Sequence, residues 1–221
     1  MLFRSLIKNQ EILADLKKER ESIGDPAKVK LLLHFDGNYN DSSPNNHTMT
    51  SGGNVSISTS VPKFGTGKLQ FGNPPRNGFV NSPNIFDFGD NRPFTISFFY
   101  RGGDGNGYFF ATMPIIFGRG GYIAISKADF SGLTFVAADM NITPIAYKHC
   151  AVVGDGSTIK VYRDGSLIAI TPHPSWASAS YAIGIGGGSP YSSDGGMDEF
   201  LLYDDVLWTA DFTPPTGPFT Y

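Results

Sequence analysis

Acidic residues that could act as a catalytic pair are scarce in this chain, and the best candidates are adjacent to each other. Asp198 and Glu199 stand side by side near the start of a strand-like run, residues 197–203. Glycoside hydrolysis with retention needs two carboxylates about 5–5.5 Å apart, and acids at positions i and i+4 of one strand could supply them. Adjacent residues of a strand point to opposite faces. The spacing therefore predicts no catalytic pair, and we expect the protein not to be an enzyme.

The histidines and the single cysteine show no arrangement that favours metal or nucleophilic chemistry. His34, His47, His149 and His173 are far apart in the chain and lack the spacing of a zinc site. Cys150 lies in an apolar run, where a free cysteine behaves as a small core residue. A thiol nucleophile would need a basic partner, and the sequence assigns none.

Aromatic side chains in the predicted loops could hold a sugar. Their rings can stack on pyranose faces, while a few placed polar groups fix the orientation of the ligand. The candidate glycan-binding residues are Tyr108, Arg119, Tyr122, Trp176, Tyr191 and Asp194. Each aromatic residue, taken alone, also fits packing in the core or at its rim, and that alternative stays open.

The residues around these candidates predict short strands joined by turns. The 221-residue chain contains 27 glycines, 15 prolines, 18 phenylalanines and 10 tyrosines, whereas only 17% of its residues are charged. Abundant aromatic and turn-forming residues favour short strands over helices. We therefore predict an all-β fold, a two-sheet antiparallel β-sandwich (jelly roll), in which residues 29–35 pair with residues 197–203.

The first 28 residues differ from the rest and predict an N-terminal α-helix followed by a linker. Residues 1–23 contain no glycine or proline, and the helix-ending residues Gly24 and Pro26 follow. A seam of 4-3 spacing fits a short coiled coil. That seam consists of Leu2, Leu6, Asn9, Leu13, Leu16 and Ile23. We predict that residues 1–28 anchor the protein to other chains or form a homo-oligomer, preferably a trimer. The alternative is that this helix packs on its own domain. The second domain is predicted to span residues 29–221.

Charge and hydropathy argue against two classes of partner. The net charge is −3 and no basic patch is visible, so we expect no nucleic-acid ligand. No window approaches the roughly 18 apolar residues that a membrane span requires. The N-terminus lacks the pattern of a secretory signal. We therefore expect synthesis in a cytoplasm and release by lysis or another non-secretory route.

Four ordered motifs carry a resemblance to a known family. They are LLLHFDG, PFTISFFYRG, YKHCAVVGDGSTIKVYRDGSLIA and GGMDEFLLYDDVLWTADFTPP. Together they resemble the concanavalin A-like lectin/glucanase superfamily, and in particular its laminin-G-like jelly-roll domains. The last motif is similar to versions of this domain in bacteriophage virion proteins. The resemblance covers about residues 29–221.

This resemblance implies a metal site and a function. Such domains often hold a structural calcium ion (Ca²⁺) where the first and last strands meet, and Asp36 and Asp198 stand at those positions. The alternative is that Asp36 forms an Asp-Gly turn and Asp198 caps loop amides. The implied function is a non-enzymatic bacteriophage virion accessory protein, such as a head decoration, tail fibre or spike, with host-surface glycans as candidate ligands. A purely structural cement protein of the capsid or tail, with no ligand, is the alternative.

Overall fold

The computed structural model describes residues 23–72, 77–102, 108–112, 116–119, 121–129, 131–137, 140–186 and 195–221. Within these ranges the chain forms two antiparallel sheets, as the sequence predicts. The strands are β1 (Val29–Leu33), β2 (Thr50–Gly52), β3 (Val55–Ser58), β4 (Lys68–Phe71), β5 (Phe79–Asp87), β6 (Phe94–Gly102), β7 (Tyr108–Thr112), β8 (Ile116–Arg119), β9 (Tyr122–Ser126), β10 (Leu133–Ala137), β11 (Lys148–Gly154), β12 (Thr158–Arg163), β13 (Ser166–Pro172), β14 (Ser180–Gly186) and β15 (Gly195–Tyr203).

The first sheet is organised around β15. Its strand order is β13-β12-β11-β6-β15-β4-β3, and β1 also pairs with β15. Strand β6 pairs with β15 along one edge, whereas β4 and β1 share the other edge, with β4 beside Met197 and β1 beside Leu201. The predicted pairing of residues 29–35 with the closing strand is therefore confirmed. The second sheet has the order β10-β9-β8-β7-β14-β5-β2.

Aromatic side chains fill the space between the two sheets. Alternate residues of β6, namely Phe94, Ile96, Phe98 and Tyr100, all enter this core. The ring of Phe98 stacks on that of Phe200 with a centroid distance of 5.9 Å. Burying such large rings supplies much of the hydrophobic stabilisation of a sandwich.

The outer face of the first sheet is also covered, by the segment 204–221, which we call the C-terminal cover. Its Trp208 and Phe212 stack at 3.9 Å and contact the ring of His149. Thr95 faces the cover, with its hydroxyl donating to Asp205 O and accepting from the backbone N–H of Leu207. The first sheet is therefore buried on both faces near its centre, which explains why its strands read as almost continuous apolar runs.

The predicted N-terminal α-helix requires correction. In the described part of the chain the helical element is a 3-10 helix, Pro26–Lys28, and no α-helix is present. Ile23, the last residue of the predicted seam, is non-helical and buried against Leu32 and Phe219, and its backbone N–H donates to Thr220 O. The seam predicts that Ile23 contacts another chain, but Ile23 packs on its own sandwich instead. The other predicted seam residues lie outside the described residues.

No helix in these same ranges is long and apolar enough to cross a membrane.

A second local difference between the sequence prediction and the structure concerns β5. The sequence predicts a loop over residues 84–92, yet the strand continues to Asp87 because it pairs with β14 through two register shifts. Pairing across the sheet overrides the weak local strand propensity of these residues.

Candidate functional site

Backbone register brings three of the predicted glycan-binding residues together. Tyr108 of β7 is the Cα partner of Arg119 of β8, and Arg119 is the partner of Tyr122 of β9. We call these three residues the tyrosine row. Residues directly opposite each other in antiparallel strands have Cα atoms about 4.5–5.5 Å apart. The side chain of Tyr122 is 44% exposed, so the row includes an accessible aromatic ring.

Trp176, another predicted sugar contact, lies in the core. Its side chain is only 1% exposed, its Nε1–H donates to Ser126 O at 3.3 Å, and its ring packs against that of His173 at 4.8 Å. This placement leaves no face of the indole for a ligand and matches the packing alternative. Tyr191 and Asp194 lie outside the described residues, in the segment between β14 and β15.

Asp198 is fully buried at an irregular point of β15. The register of β15 with β6 shifts between Asp198 and Leu201, which turns the carboxylate towards residues 61–67, the bracing loop. Oδ2 accepts from the N–H groups of Lys63 and Phe64 at 2.7 and 3.1 Å, and Oδ1 accepts from Glu199 N. Burial nevertheless raises the pKa of Asp198 to about 7, because removing the charged form from water outweighs these three donors.

Asp36 holds the other end of the bracing loop. Its Oδ1 accepts from the backbone N–H groups of Thr66 and Gly67 at 2.5 and 2.8 Å. The residue just before these two amides must be a glycine. The φ of Gly65 is +56°, and a Cβ on it would lie 2.2 Å from Asp36 Oδ2. Two carboxylates from opposite ends of the chain thus fix one loop.

These contacts favour the capping alternative over calcium. A calcium ion takes six to eight oxygen ligands, but Asp36 Oδ1 and both oxygens of Asp198 already accept from N–H groups. The described residues contain no group of three metal-ligating side chains. The donor set at this position therefore suits amide capping and does not fit a calcium ion.

Glu199 points away from Asp198 and makes a separate set of contacts. Its φ is +52°, an unusual left-handed conformation for a glutamate. The buried carboxylate lies 2.9 Å from His34 Nδ1 and accepts from the backbone N–H of Phe219 at 2.9 Å. Hydrogen bonding to Glu199 raises the pKa of His34. The adjacent acids thus serve two structural tasks: one fixes the bracing loop, and the other fixes the C-terminal cover.

Two cations that the sequence analysis did not single out lie nearby on the same outer face. A Cβ on Gly196 would be 2.9 Å from Lys68 Cδ and 3.0 Å from Lys68 Nζ, so the lysine side chain crosses over this glycine. Arg101 is the Cα partner of Gly196 on β6. The available sequence signal is a lysine and an arginine in otherwise apolar strands. Only the strand register shows that Lys68 and Arg101 occupy positions next to the same glycine.

Two packed antiparallel sheets, with the exposed Tyr122 at one end of the second sheet, define a lectin-like β-sandwich. Residues 72–211 match the model of a family described as the concanavalin A-like lectin/glucanases superfamily. The chain belongs to this family, as its four motifs suggest. No curated protein sequence matches it.

Solved structures with the same fold include clostridial binding domains. The binding domain of Paraclostridial Mosquitocidal Protein 1 is 16% identical, with a TM-score of 0.64 over 83% of this chain and 50% of that one. The ligand binding domain of botulinum neurotoxin serotype D, in complex with N-acetylneuraminic acid, is 11% identical (TM-score 0.61; 83% and 49%). The binding domain of botulinum neurotoxin DC, in complex with rat synaptotagmin II, is 13% identical (0.62; 83% and 49%). The chain spans about half the length of these structures, and at these identities the likeness concerns the fold.

Proposed function

We propose that the protein is a non-enzymatic, glycan-binding virion accessory protein of a bacteriophage. The observation that carries the binding role is the tyrosine row, in which separate strands bring Tyr108, Arg119 and Tyr122 to one end of the second sheet. An accessible tyrosine at a position paired with an arginine combines residue types that can stack on a sugar ring and donate hydrogen bonds to it.

The contacts of the acidic residues support a binder rather than a hydrolase. Asp198 accepts from three backbone amides, and Glu199 is engaged by His34 and the N–H of Phe219. A glycosidase needs one carboxyl group to donate a proton and a second to act as nucleophile or base. Both acids here are buried beneath other segments, away from the tyrosine row.

The virion location rests on the sequence motifs. The closing motif, which forms β15 and the C-terminal cover, is similar to that of phage virion domains. The similar neurotoxin domains were solved with a sialic acid and with a protein receptor, which supports a ligand-binding use of this fold. A head decoration, a tail fibre and a spike all fit such a display role.

Tyr122→Ala tests the glycan step. We expect the variant to lose binding on an array of bacterial surface glycans by about tenfold or more, since stacking on one aromatic ring contributes on the order of 1–2 kcal/mol. Tyr221→Ala is the matched control, because Tyr221 is equally exposed but lies outside the row. No glycan binding by any of the three proteins would refute the glycan role, and equal binding by all three would refute the tyrosine row as the site.

Proteomic analysis of purified particles tests the virion step. We expect the chain in density-purified particles of the phage that encodes it, and antibody labelling should place it on the particle surface. Recovery only in the lysate would contradict this location.

A purely structural cement role is the second candidate, and one feature favours it. Strand β13 is an edge of the first sheet and exposes Leu167 and Ile170, at 41% and 53%. Apolar side chains on an unpaired edge are suited to contact a neighbouring protein. If this role is correct, Leu167→Ser with Ile170→Ser lowers the heat resistance of particles, and Tyr122→Ala changes nothing.

A further inference from the structure

The outer face of the first sheet carries a second candidate site, beyond the bracing loop. Gly196 forms its floor, with Arg101 beside it on β6 and Gln70 beside it on β4. Lys68 reaches over the glycine from two residues along β4, with its Nζ 3.0 Å from where a Cβ would be. Because glycine has no side chain here, the lysine ammonium lies over Gly196, whose Cα partner on β6 is Arg101.

Lys68 is buried without a carboxylate partner in the described part of the chain. The residue is only 5% exposed, and the ion pairs among the described residues involve other cations. Asp198, the nearest acid along the sheet, is bonded to the bracing loop amides. Burial and the charge of Arg101 lower the pKa of Lys68, while the charge of Asp198 acts in the opposite direction without forming an ion pair with it. A lysine in such a place costs folding energy that an incoming anion would offset.

Arg101 is held in position by a carbonyl and an aromatic ring, and none of the described carboxylates forms an ion pair with it. One Nη donates to Pro144 O at 2.6 Å, and the guanidinium lies 5.7 Å from the centre of the Tyr147 ring. Tyr147 in turn donates to Val61 O at 3.0 Å. A carbonyl and an aromatic ring orient the fork but do not neutralise it, so the site is organised before a ligand arrives.

We propose that Lys68 and Arg101 form a binding site for the carboxylate group of an acidic saccharide, at Gly196 on the outer face of the first sheet. Arginine forks match the planar oxygens of such groups, and lysine adds a point charge. Ile145, 85% exposed beside Pro144, offers an apolar rim for the C–H face of a sugar ring. This site lies on the opposite sheet from the tyrosine row and does not depend on it.

The electrostatics favour a saccharide over a nucleic acid. Nucleic acids bind through many phosphate contacts along a basic track. This chain has a net charge of −3, and among the described residues two cations, Lys68 and Arg101, are placed next to Gly196. A single oxyanion on an otherwise polar ligand suits this arrangement better than a polyanionic backbone.

The test uses two probes that differ in one group. Methyl β-D-glucuronide and methyl β-D-glucoside share a pyranose ring, but only the glucuronide carries a carboxylate. Titration of the full chain, followed by NMR, should give a dissociation constant for the glucuronide at least tenfold lower than for the glucoside. Equal affinities would overturn the proposal. Binding of inorganic sulfate without binding of the glucuronide would also overturn it, because the site would then hold a free anion only.

Substitutions test whether glucuronide binding depends on the residues of this site. Lys68→Met and Arg101→Met each should weaken glucuronide binding about tenfold or more, and Gly196→Ala should do the same with both charges retained, because its Cβ displaces the lysine. Lys127→Met, which removes an exposed cation elsewhere, is the matched control. Loss of binding in the control to the same extent, or unchanged binding in Lys68→Met and Arg101→Met, would refute the site.

Two further readouts separate this result from other failures. Thermal unfolding of each variant shows whether it is folded, and Lys68→Met is expected to be at least as stable as the unmodified chain because it removes a buried charge. Tyr122→Ala should bind the glucuronide normally. If Tyr122→Ala abolishes glucuronide binding while Lys68→Met does not, the acidic sugar binds at the tyrosine row and the site at Gly196 is refuted.

Discussion

Replacement of Asp198 by asparagine should remove a large pH dependence of stability. The carboxylate is buried at the shift in β15 and accepts from the amides of Lys63, Phe64 and Glu199. Burial favours the neutral acid, whereas the three amides favour the charged form. Burial prevails, and the pKa of Asp198 rises from its ordinary value of 3.8 to about 7.

The sign and size of the pH dependence of stability follow from this raised pKa. A carboxyl group with a raised pKa holds its proton more tightly in the folded state than in the unfolded chain, so the free energy of unfolding falls as the pH rises from about 4 to about 7. One pKa unit corresponds to about 1.4 kcal/mol. For Asp198 the loss therefore amounts to roughly 4 kcal/mol across that window, and it is complete above pH 8.

The assay compares urea unfolding of the unmodified chain with that of Asp198→Asn at intervals between pH 3.5 and pH 8.5. Asparagine does not titrate, so its altered hydrogen bonds contribute a constant offset. His149 and His173, whose pKa values burial lowers, titrate in both proteins and cancel in the difference. We expect the unmodified chain to lose stability relative to the variant as the pH rises. A flat difference would refute the burial argument, and a difference of opposite sign would show that the amides outweigh burial.

Three further predictions concern the cover, the core and the histidine pair. A chain that starts at Ile23 should be as stable to urea as one that starts at Met1, whereas a start at Val29 should cost about 2 kcal/mol, because buried Ile23 is lost; equal stability of all three would contradict its packing role. Trp176→Ala should cost about 3–5 kcal/mol in urea unfolding, and a cost below 1 kcal/mol would show that the indole is not a core residue. His34→Gln should destabilise the protein more at pH 5.5 than at pH 8.5, because Glu199 raises the pKa of His34 and the pair stabilises the fold mainly below the ordinary histidine pKa of 6.5; an equal cost at both pH values would exclude a charged pair.

The trimer predicted from the N-terminal pattern stays a prediction, because most of that pattern lies outside the described residues. Its test is the mass in solution of the full chain beside the chain that starts at Ile23. That start retains the contact of Ile23 with the C-terminal cover, so a change in mass would report on residues 1–22 rather than on damage to the sandwich.

Local patterns predicted most strands because each strand depends mainly on nearby residues. The bounds of β3, β4, β7, β9, β10 and β12 follow directly from short apolar runs between turn residues. The turn at Asp164 and Gly165 is a clear example: both residues have positive φ, which the Asp-Gly pair tolerates, and β12 pairs with β13 across it. The end of β5 was not predictable in this way, because its length depends on pairing with β14.

The candidate sites were only partly predictable. Tyr122 could be named because an aromatic residue beside a glycine turn is often exposed, but its alignment with Arg119 and Tyr108 depends on two strand registers. Trp176 lies in a loop that reads as exposed, and the loop folds its indole inward onto Ser126. Loop composition does not specify on which side a side chain packs.

The sequence by itself determined the class of fold, the closure of the sandwich by its first and last strands, and the absence of a spaced acidic pair. These features depend on periodicity, turn residues and spacing, which are properties of short segments. Only the tertiary structure decided that Asp36 and Asp198 fix one loop, that Glu199 holds the C-terminal cover, and that Lys68 crosses over the glycine paired with Arg101. Each of these contacts joins residues far apart in the chain. Whether a buried charge is compensated also depends on which segments cover it.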